Sequence, residues 1–320
     1  MRVSVLLVPA DQPERLRRTL EALRRQDYEP FEVLLPHPAG AEPVGVPHAL
    51  RGAVRAVPCD GGGWASLHNR GAAASAGELL AGLAAGAVPH RGWLAELAGA
   101  LGDGAAAGAG GVVLDAPGAP GHPRWAVCDR LGQRGEEDFP PPDAYFRPGA
   151  DPFADLPPCN WAFRRDRFAA LGGLDEALET DLALAELCAR AADAGLPVRA
   201  AVGARVYRGA DNAAGADPAV ALRDAALFAA RGARRTGRVG EVLRHFSALA
   251  SGPRVPGAGE EAARLRERLH AAVGAGVEQG LAGERRGREV PPPDPGAFRP
   301  FPLLRPEGAR RTFCLVAPAR

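Results

Sequence analysis

Apolar and polar positions alternate along this chain in two rhythms, one of strand length and one of helical spacing. Val3 to Val8 is an unbroken apolar run, as a strand buried on both faces of a sheet reads, and Pro9 ends it. Leu16, Leu20 and Leu23 then recur at helical spacing opposite Arg15, Arg18 and Arg25, which predicts a surface helix. Asp11 and Glu14 have capping-box spacing, and Pro13 suits a first turn. Phe31 to Leu35 reads as a second strand stopped by Pro36-His37-Pro38, and Ala53 to Val57 as a third, ahead of Gly61-Gly62-Gly63. The stretch from Asn69 to Leu97 carries a small, Ala-rich helix ending at Gly77, a strand over Glu78 to Leu83, a break at Val88-Pro89 and a helix marked by Trp93, Leu94 and Leu97. Strands and helices alternating at this pace predict right-handed crossovers and a mostly parallel sheet.

Further along, Gly104 to Gly111 is low in complexity and Val112 to Leu114 reads as a strand. Pro117 to Pro158 is rich in Pro, Gly and Asp and too long for an ordinary connection, so it is expected to be flexible. Beyond Arg208 the rhythm becomes helical throughout. Helices are expected over Ala219 to Ala230, Val239 to Ala250 and Glu260 to about Gly283, with Leu265, Leu269 and Val273 on one face of the last. Pro291 to Pro306 reads as a stiff Pro-rich linker, and Arg311 to Pro318 as a strand and turn.

Composition narrows this picture only slightly. The 320 residues allow a sizeable core, and 39 basic against 38 acidic residues give a formal charge of +1, which argues against nucleic acid as a partner. All the basic residues are Arg and Ile is absent, as a GC-biased coding sequence produces. Five cysteines are scattered with neither a CxxC pair nor metal-ligand spacing, and are expected to be reduced thiols in a cytoplasmic protein. No apolar run approaches the roughly 20 residues of a spanning helix.

Several ordered segments resemble family 2 glycosyltransferases. They are Leu16 to Leu20 with Gln26-Asp27-Tyr28 and Phe31-Glu32-Val33; Asn69-Arg70-Gly71 leading to Gly77-Glu78-Leu79-Leu80; Val88-Pro89-His90 with Trp93-Leu94; Asn160 to Arg165; Gly172 to Glu176; and Val206-Tyr207. The resemblance covers about residues 1 to 208. It implies a GT-A, Rossmann-like α/β domain over 1–210, followed by a helical C-terminal extension over 211–290 and a linker and strand over 291–320. It further implies donor contacts at Pro9, Ala10, Asp11, Asn69, Arg70, Ala84 and Gly86, and an acceptor side at Asn160, Trp161, Asp175 and Glu176.

The same resemblance sets out what is missing. The family holds Mn²⁺ or Mg²⁺ with a D-x-D carboxylate pair, and its register puts those positions on Ala84, Ala85 and Gly86, which can coordinate nothing. The family's base motif falls on Ala183 to Leu187, where only Glu186 keeps a carboxylate, unless Glu179 or Asp181 serves through a shifted helix start. An acid that in the family contacts the nucleotide base falls near His37 or Pro38, and the late histidine is Arg208. No metal site and no cofactor are therefore expected. The leading expectation is a family 2-like protein with impaired or absent metal-dependent transfer, binding a nucleotide-sugar or scaffolding a partner glycosyltransferase or a missing C-terminal domain. Two alternatives stand beside it: an active metal-independent inverting transferase using Arg70 with Asp181 or Glu186 as base, and a non-enzymatic interaction protein.

The remaining residues weigh less. His37, His68 and His90 lack metal-site spacing and are expected to be solvated or hydrogen-bonded; Trp161 is as well explained by core filling as by sugar stacking. Asp175-Glu176 fits a turn, and Gly61-Gly62-Gly63 lacks the Lys-Ser/Thr of a P-loop.

Overall fold

The computed structural model describes residues 1–8, 12–41, 45–114, 124–138, 143–147, 149–208, 217–251, 260–283 and 285–304. Pro9, Ala10, Asp11 and the expected strand at 311–318 lie outside them.

The first strand, β1, spans Val3–Val8, as its apolar run predicts. Helix α1 (Pro13–Leu23) follows, with Pro13 at its start and Leu16, Leu20 and Leu23 fully buried, each contributing about 1.5–3 kcal/mol. Its N-cap is Gln12, whose side chain makes no capping bond, and Glu14 pairs with Arg17. Next come β2 (Phe31–Pro38), β3 (Val54–Cys59), α2 (Trp64–Ala74) and β4 (Leu79–Ala84). Helix α2 begins earlier than its Ala-rich portion suggests, directly after Gly61 to Gly63. Val88–Pro89 is a two-residue strand, β5, and not merely a break, because Val88 and Pro89 pair with Tyr207 and Val206. Helix α3 (Trp93–Leu101) buries Trp93, Leu94 and Leu97.

Strand β6 runs over Gly108–Leu114, so much of the low-complexity Gly-Ala stretch is sheet. The reason is steric: a Cβ at Gly111 would overlap the Ala204 carbonyl, and one at Gly108 would crowd Phe163, so glycine lets neighbouring strands and rings close in. The segment expected to be flexible holds a small antiparallel sheet of β7 (Arg124–Cys128), β8 (Arg134–Asp138) and β9 (Phe153–Ala154). Its core is Trp125, Val127 and Phe153, three large apolar residues whose burial outweighs a Pro- and Gly-rich composition. Strand β10 (Trp161–Arg164), helices α4 (Arg165–Ala170) and α5 (Leu182–Asp193) and strand β11 (Val198–Tyr207) complete this part.

The main sheet has the order β3-β2-β1-β4-β10-β6-β11-β5, with β10 antiparallel between β4 and β6. Two apolar layers cover it. One lies under α1 and α3; the other lies under α2, α4 and α5 and continues into the small sheet.

Helices α6 (Pro218–Thr236), α7 (Val239–Ser251) and α8 (Glu260–Ala282) form a third cluster around Ala226, Ala230, Val242, Phe246 and Val273. Gly276 and Gly280 of α8 sit directly on the α6 backbone and on Ala226 and Ala230, where any Cβ would clash. Residues 285–304 then run back along the sheet domain. Arg165 reaches the Pro291 carbonyl, Phe301 packs on Phe31 at 5.5 Å between ring centroids, and Leu304 N–H donates to the Arg24 carbonyl. The four described cysteines are free and buried. No described helix is long and apolar enough to cross a membrane.

Candidate functional site

In an open α/β sheet, ligands meet the carboxyl ends of the strands. Here β1 and β4 end side by side, with Val8 opposite Ala84. Ala84 is partly exposed, and Ala85 and Ala87 are buried around a tight turn in which Ala87 N–H donates to the Ala84 carbonyl. The Thr19 hydroxyl of α1 closes that turn. It accepts from Gly86 N–H at 2.8 Å and donates to the Ala87 carbonyl at 2.9 Å. Gly86 has φ +94°, a conformation that a side chain there would strain. Ala84, Ala85 and Gly86, on which the resemblance puts the D-x-D pair, carry no carboxylate. Among the described residues, no group of three or more His, Cys, Asp or Glu is placed to hold a metal ion.

Asn69 and Arg70 on α2 lead in different directions. Asn69 is fully buried: its amide donates to the Leu174 carbonyl and to Glu176, and its carbonyl accepts from Leu174 N–H at 2.8 Å. It pins the turn through Gly172 and Gly173, both at positive φ. Arg70 is half-buried and makes no hydrogen bond or ion pair with another described residue. Its charge and that of Arg288 both act on Cys59, whose thiol burial nevertheless pushes up.

Asn160 and Trp161, in and before β10, are both fully buried. Asn160 accepts from Trp93 Nε1 at 2.8 Å and donates to the carbonyls of Val112 and Ala204, which holds β11 where its register shifts between Ala201 and Arg205. The Trp161 indole lies flat over Gly82, its cross-strand partner, where a Cβ would overlap the ring. Trp64 and His68 of α2 and Phe163 surround it at 5.6–6.5 Å between centroids. Trp161 therefore presents no exposed face.

Asp175 and Glu176 are likewise engaged. Asp175, fully buried, accepts from Ala177 and Arg286 N–H and forms an ion pair with Arg231 of α6. Glu176 pairs with Arg288 at 3.0 Å. The neighbouring residues are tied to the same helix, since Thr180 donates to Asp224 through both its N–H and hydroxyl and Glu179 pairs with Arg223 at 2.6 Å.

The two candidate bases differ. Glu186 is buried and paired with Arg190, which also donates to the Leu171 and Gly173 carbonyls. Asp181, at the N-cap of α5, keeps 43 % of its side chain exposed and pairs with Arg134 of β8 at 2.9 Å. Nε of Arg134 also lies 2.8 Å from Asp155, a fully buried aspartate after β9. Burial opposes the Arg134 charge, but Asp155 and Asp181 outweigh it and raise its pKa, while burial pushes the Asp155 carboxyl up against the pull of Arg134. Sequence reasoning missed Arg134 and Asp155 because both lie in the stretch read as flexible. The signal was present in the apolar alternation of Trp125 and Val127 and in an aspartate set between Phe153-Ala154 and Leu156.

His37 is buried with Nδ1 3.0 Å from the Pro38 carbonyl, and His90 is exposed. His68 is fully enclosed, with Nδ1 donating to the Trp64 carbonyl, and burial lowers its pKa from 6.5 to about 4. An unfolded chain binds that proton from pH 6.5 downward and the folded one only near pH 4. The neutral histidine's contribution is thus complete above pH 6.5 and is lost as pH falls toward 4, on the order of 2–3 kcal/mol. Urea unfolding at pH 7 and pH 4.5 should show a steeper loss for wild type than for His68→Phe; equal losses would place the histidine in contact with water.

The sheet order, with β10 antiparallel between β4 and β6, is that of the GT-A fold. Three solved structures of that fold are similar to this chain. One is the mannosyltransferase PcManGT from Pyrobaculum calidifontis in complex with GDP-Man and Mn²⁺, with a TM-score of 0.50 and 15% identity over 87% of this chain and 86% of that one. Another is S. aureus TarS 1–349 in complex with UDP, at 0.52 and 13% over 88% and 89%. The third is GalNAc-T7 with UDP, GalNAc and Mn²⁺, at 0.56 and 15% over 85% of this chain and 54% of that one. Neither a family model nor a curated protein matches the sequence.

Proposed function

We propose that this chain is a glycosyltransferase homologue of the family 2 type that binds a nucleotide-sugar without a divalent metal and performs metal-dependent transfer poorly or not at all, serving as a binding or scaffolding module for a partner glycosyltransferase or a further domain. The observation that carries this reading is the turn Ala84 to Ala87. It follows the central strand β4, it is locked by Thr19, and it offers methyl groups and a glycine where the family resemblance puts the carboxylates that hold a cation. Arg70, the half-buried guanidinium left without a described partner, is the candidate diphosphate contact, since a guanidinium fork matches phosphate oxygens. Support for a donor site also comes from the solved structures of the same fold, whose complexes contain GDP-Man or UDP.

Calorimetry with UDP-, GDP- and dTDP-sugars tests the reading. The expected result is binding of one donor with the same affinity in EDTA and in MnCl₂, weakened by Arg70→Ala, with the donor recovered uncleaved. Micromolar binding that requires Mn²⁺ and is followed by sugar turnover sinks it, and no binding of any donor favours a pure interaction protein.

One observation favours a second reading, a metal-independent inverting transferase. Asp181 is the exposed carboxylate at the start of α5, oriented by Arg134. That enzyme would turn over in EDTA and lose turnover, but not donor binding, in Asp181→Asn.

A further inference from the structure

A cavity of about 220 Å³ lies far along the chain from the turn after β4, where the β7–β8 turn and the end of α5 meet α6 and α7. Its apolar lining is Leu131, Ala229, Gly232, Ala233 and Val242. Gly232 is the informative member. Gly276 and Gly280 are needed because a Cβ would strike α6, whereas a Cβ at Gly232 would meet nothing within 4 Å although the residue is partly covered. A glycine inside a helix destabilises it relative to alanine, and here no close packing offsets that effect.

The rim is charged and unbalanced. Among the described residues four acids, Asp129, Asp151, Asp193 and Glu241, face two arginines, Arg130 and Arg238. Both guanidiniums are already engaged. Arg130 makes two hydrogen bonds to Asp193 and one to the Ala150 carbonyl, and stacks on Phe153; Arg238 pairs with Glu241 at 2.7 Å and with Asp151 at 3.5 Å. Two of the acids each keep one carboxylate oxygen without a hydrogen-bond donor among the described residues. Asp129 takes its two backbone donors, Leu131 and Gln133, on Oδ1 alone, and Glu241 meets Arg238 through Oε2. The helix ends here are of both signs: α5 ends at Asp193 and α6 at Thr236 with their negative carbonyl ends, while α7 starts at Val239 and holds Glu241 in its positive first turn.

We infer that this cavity is a binding site for a small organic cation, a primary ammonium or guanidinium on a short apolar body, whose charged head is received by Asp129 and Glu241 and whose body lies on Gly232 and Ala233. Among the described lining residues a carboxylate or phosphate meets four acids and two arginines that are already engaged, and a neutral apolar molecule leaves the acceptors unpaired. An occupant bridges the sheet domain and the helical extension, and so ties α6, which carries Arg223, Asp224 and Arg231, more firmly to the loop at 175–181.

The experiment uses the full chain with three probes of matched size: 2-phenylethylamine, 2-phenylethanol and 3-phenylpropionate. In calorimetry and thermal shift, the amine should bind and raise the melting temperature, while the alcohol and the acid should bind at least tenfold more weakly. Glu241→Gln should weaken the amine about tenfold, read by calorimetry against the folded variant. Gly232→Leu should abolish binding by filling the space. Equal binding of all three probes, no binding of the amine, or amine affinity unchanged in Glu241→Gln overturns the inference. Glu241→Gln alone decides the matter if the leucine variant does not fold.

Discussion

Replacing Arg231 by alanine is expected to cost roughly 3–5 kcal/mol, because it strips the paired side-chain charge from Asp175 inside the protein. Asp175 would keep two backbone donors, from Ala177 and Arg286, which cannot neutralise a carboxylate shut off from water. The signature of this mechanism lies in the double variant. Arg231→Met with Asp175→Asn removes both charges and should recover much of the loss, so that deleting one partner harms the protein more than replacing both. Urea unfolding of the three proteins measures it; a double variant no more stable than Arg231→Ala would mean that packing, and not charge, holds α6 to this loop.

Trp161→Ala is expected to cost about 3–5 kcal/mol, the range for a fully buried large aromatic. Its ring fills the space above Gly82 and contacts Trp64, His68 and Phe163, so the vacated volume cannot collapse without moving α2. This separates the two explanations of the residue. A tryptophan that stacked a sugar at the surface would lose ligand affinity on truncation and leave the melting temperature alone. The buried ring predicts the reverse order, a large drop in stability before any ligand is added.

The strands and helices that position the site were readable because each buries one clear apolar set. VSVLLV is β1 end to end, and Leu16, Leu20 and Leu23 are the buried face of α1. The small sheet was not readable, because its strands are short and its stability comes from contacts between Trp125, Val127 and Phe153 that no local pattern reveals. The Gly-Ala stretch of β6 failed for a related reason: its glycines report on the neighbours, Asn160, Ala204 and Phe163, and not on the segment itself. At the end of β4, the absence of carboxylates from Ala84 to Gly86 could be read directly, but the employment of Asn69, Asn160 and Asp175 could not. Their partners lie 105, 67 and 111 residues away in Leu174, Trp93 and Arg286.

The place of β10 has a consequence for how the protein is made. Strand β4 is paired on one side by β1, but its other edge waits for Trp161 to Arg164, which also close the inner edge of β6. At roughly 5–20 residues per second on the ribosome, an emerging chain that has already completed β6 carries three open strand edges for several seconds, one on β4 and both of β6, whose outer edge waits for β11. Nascent chains halted before Trp161 should therefore recruit chaperones or cluster with one another, and those released just after β11 should not.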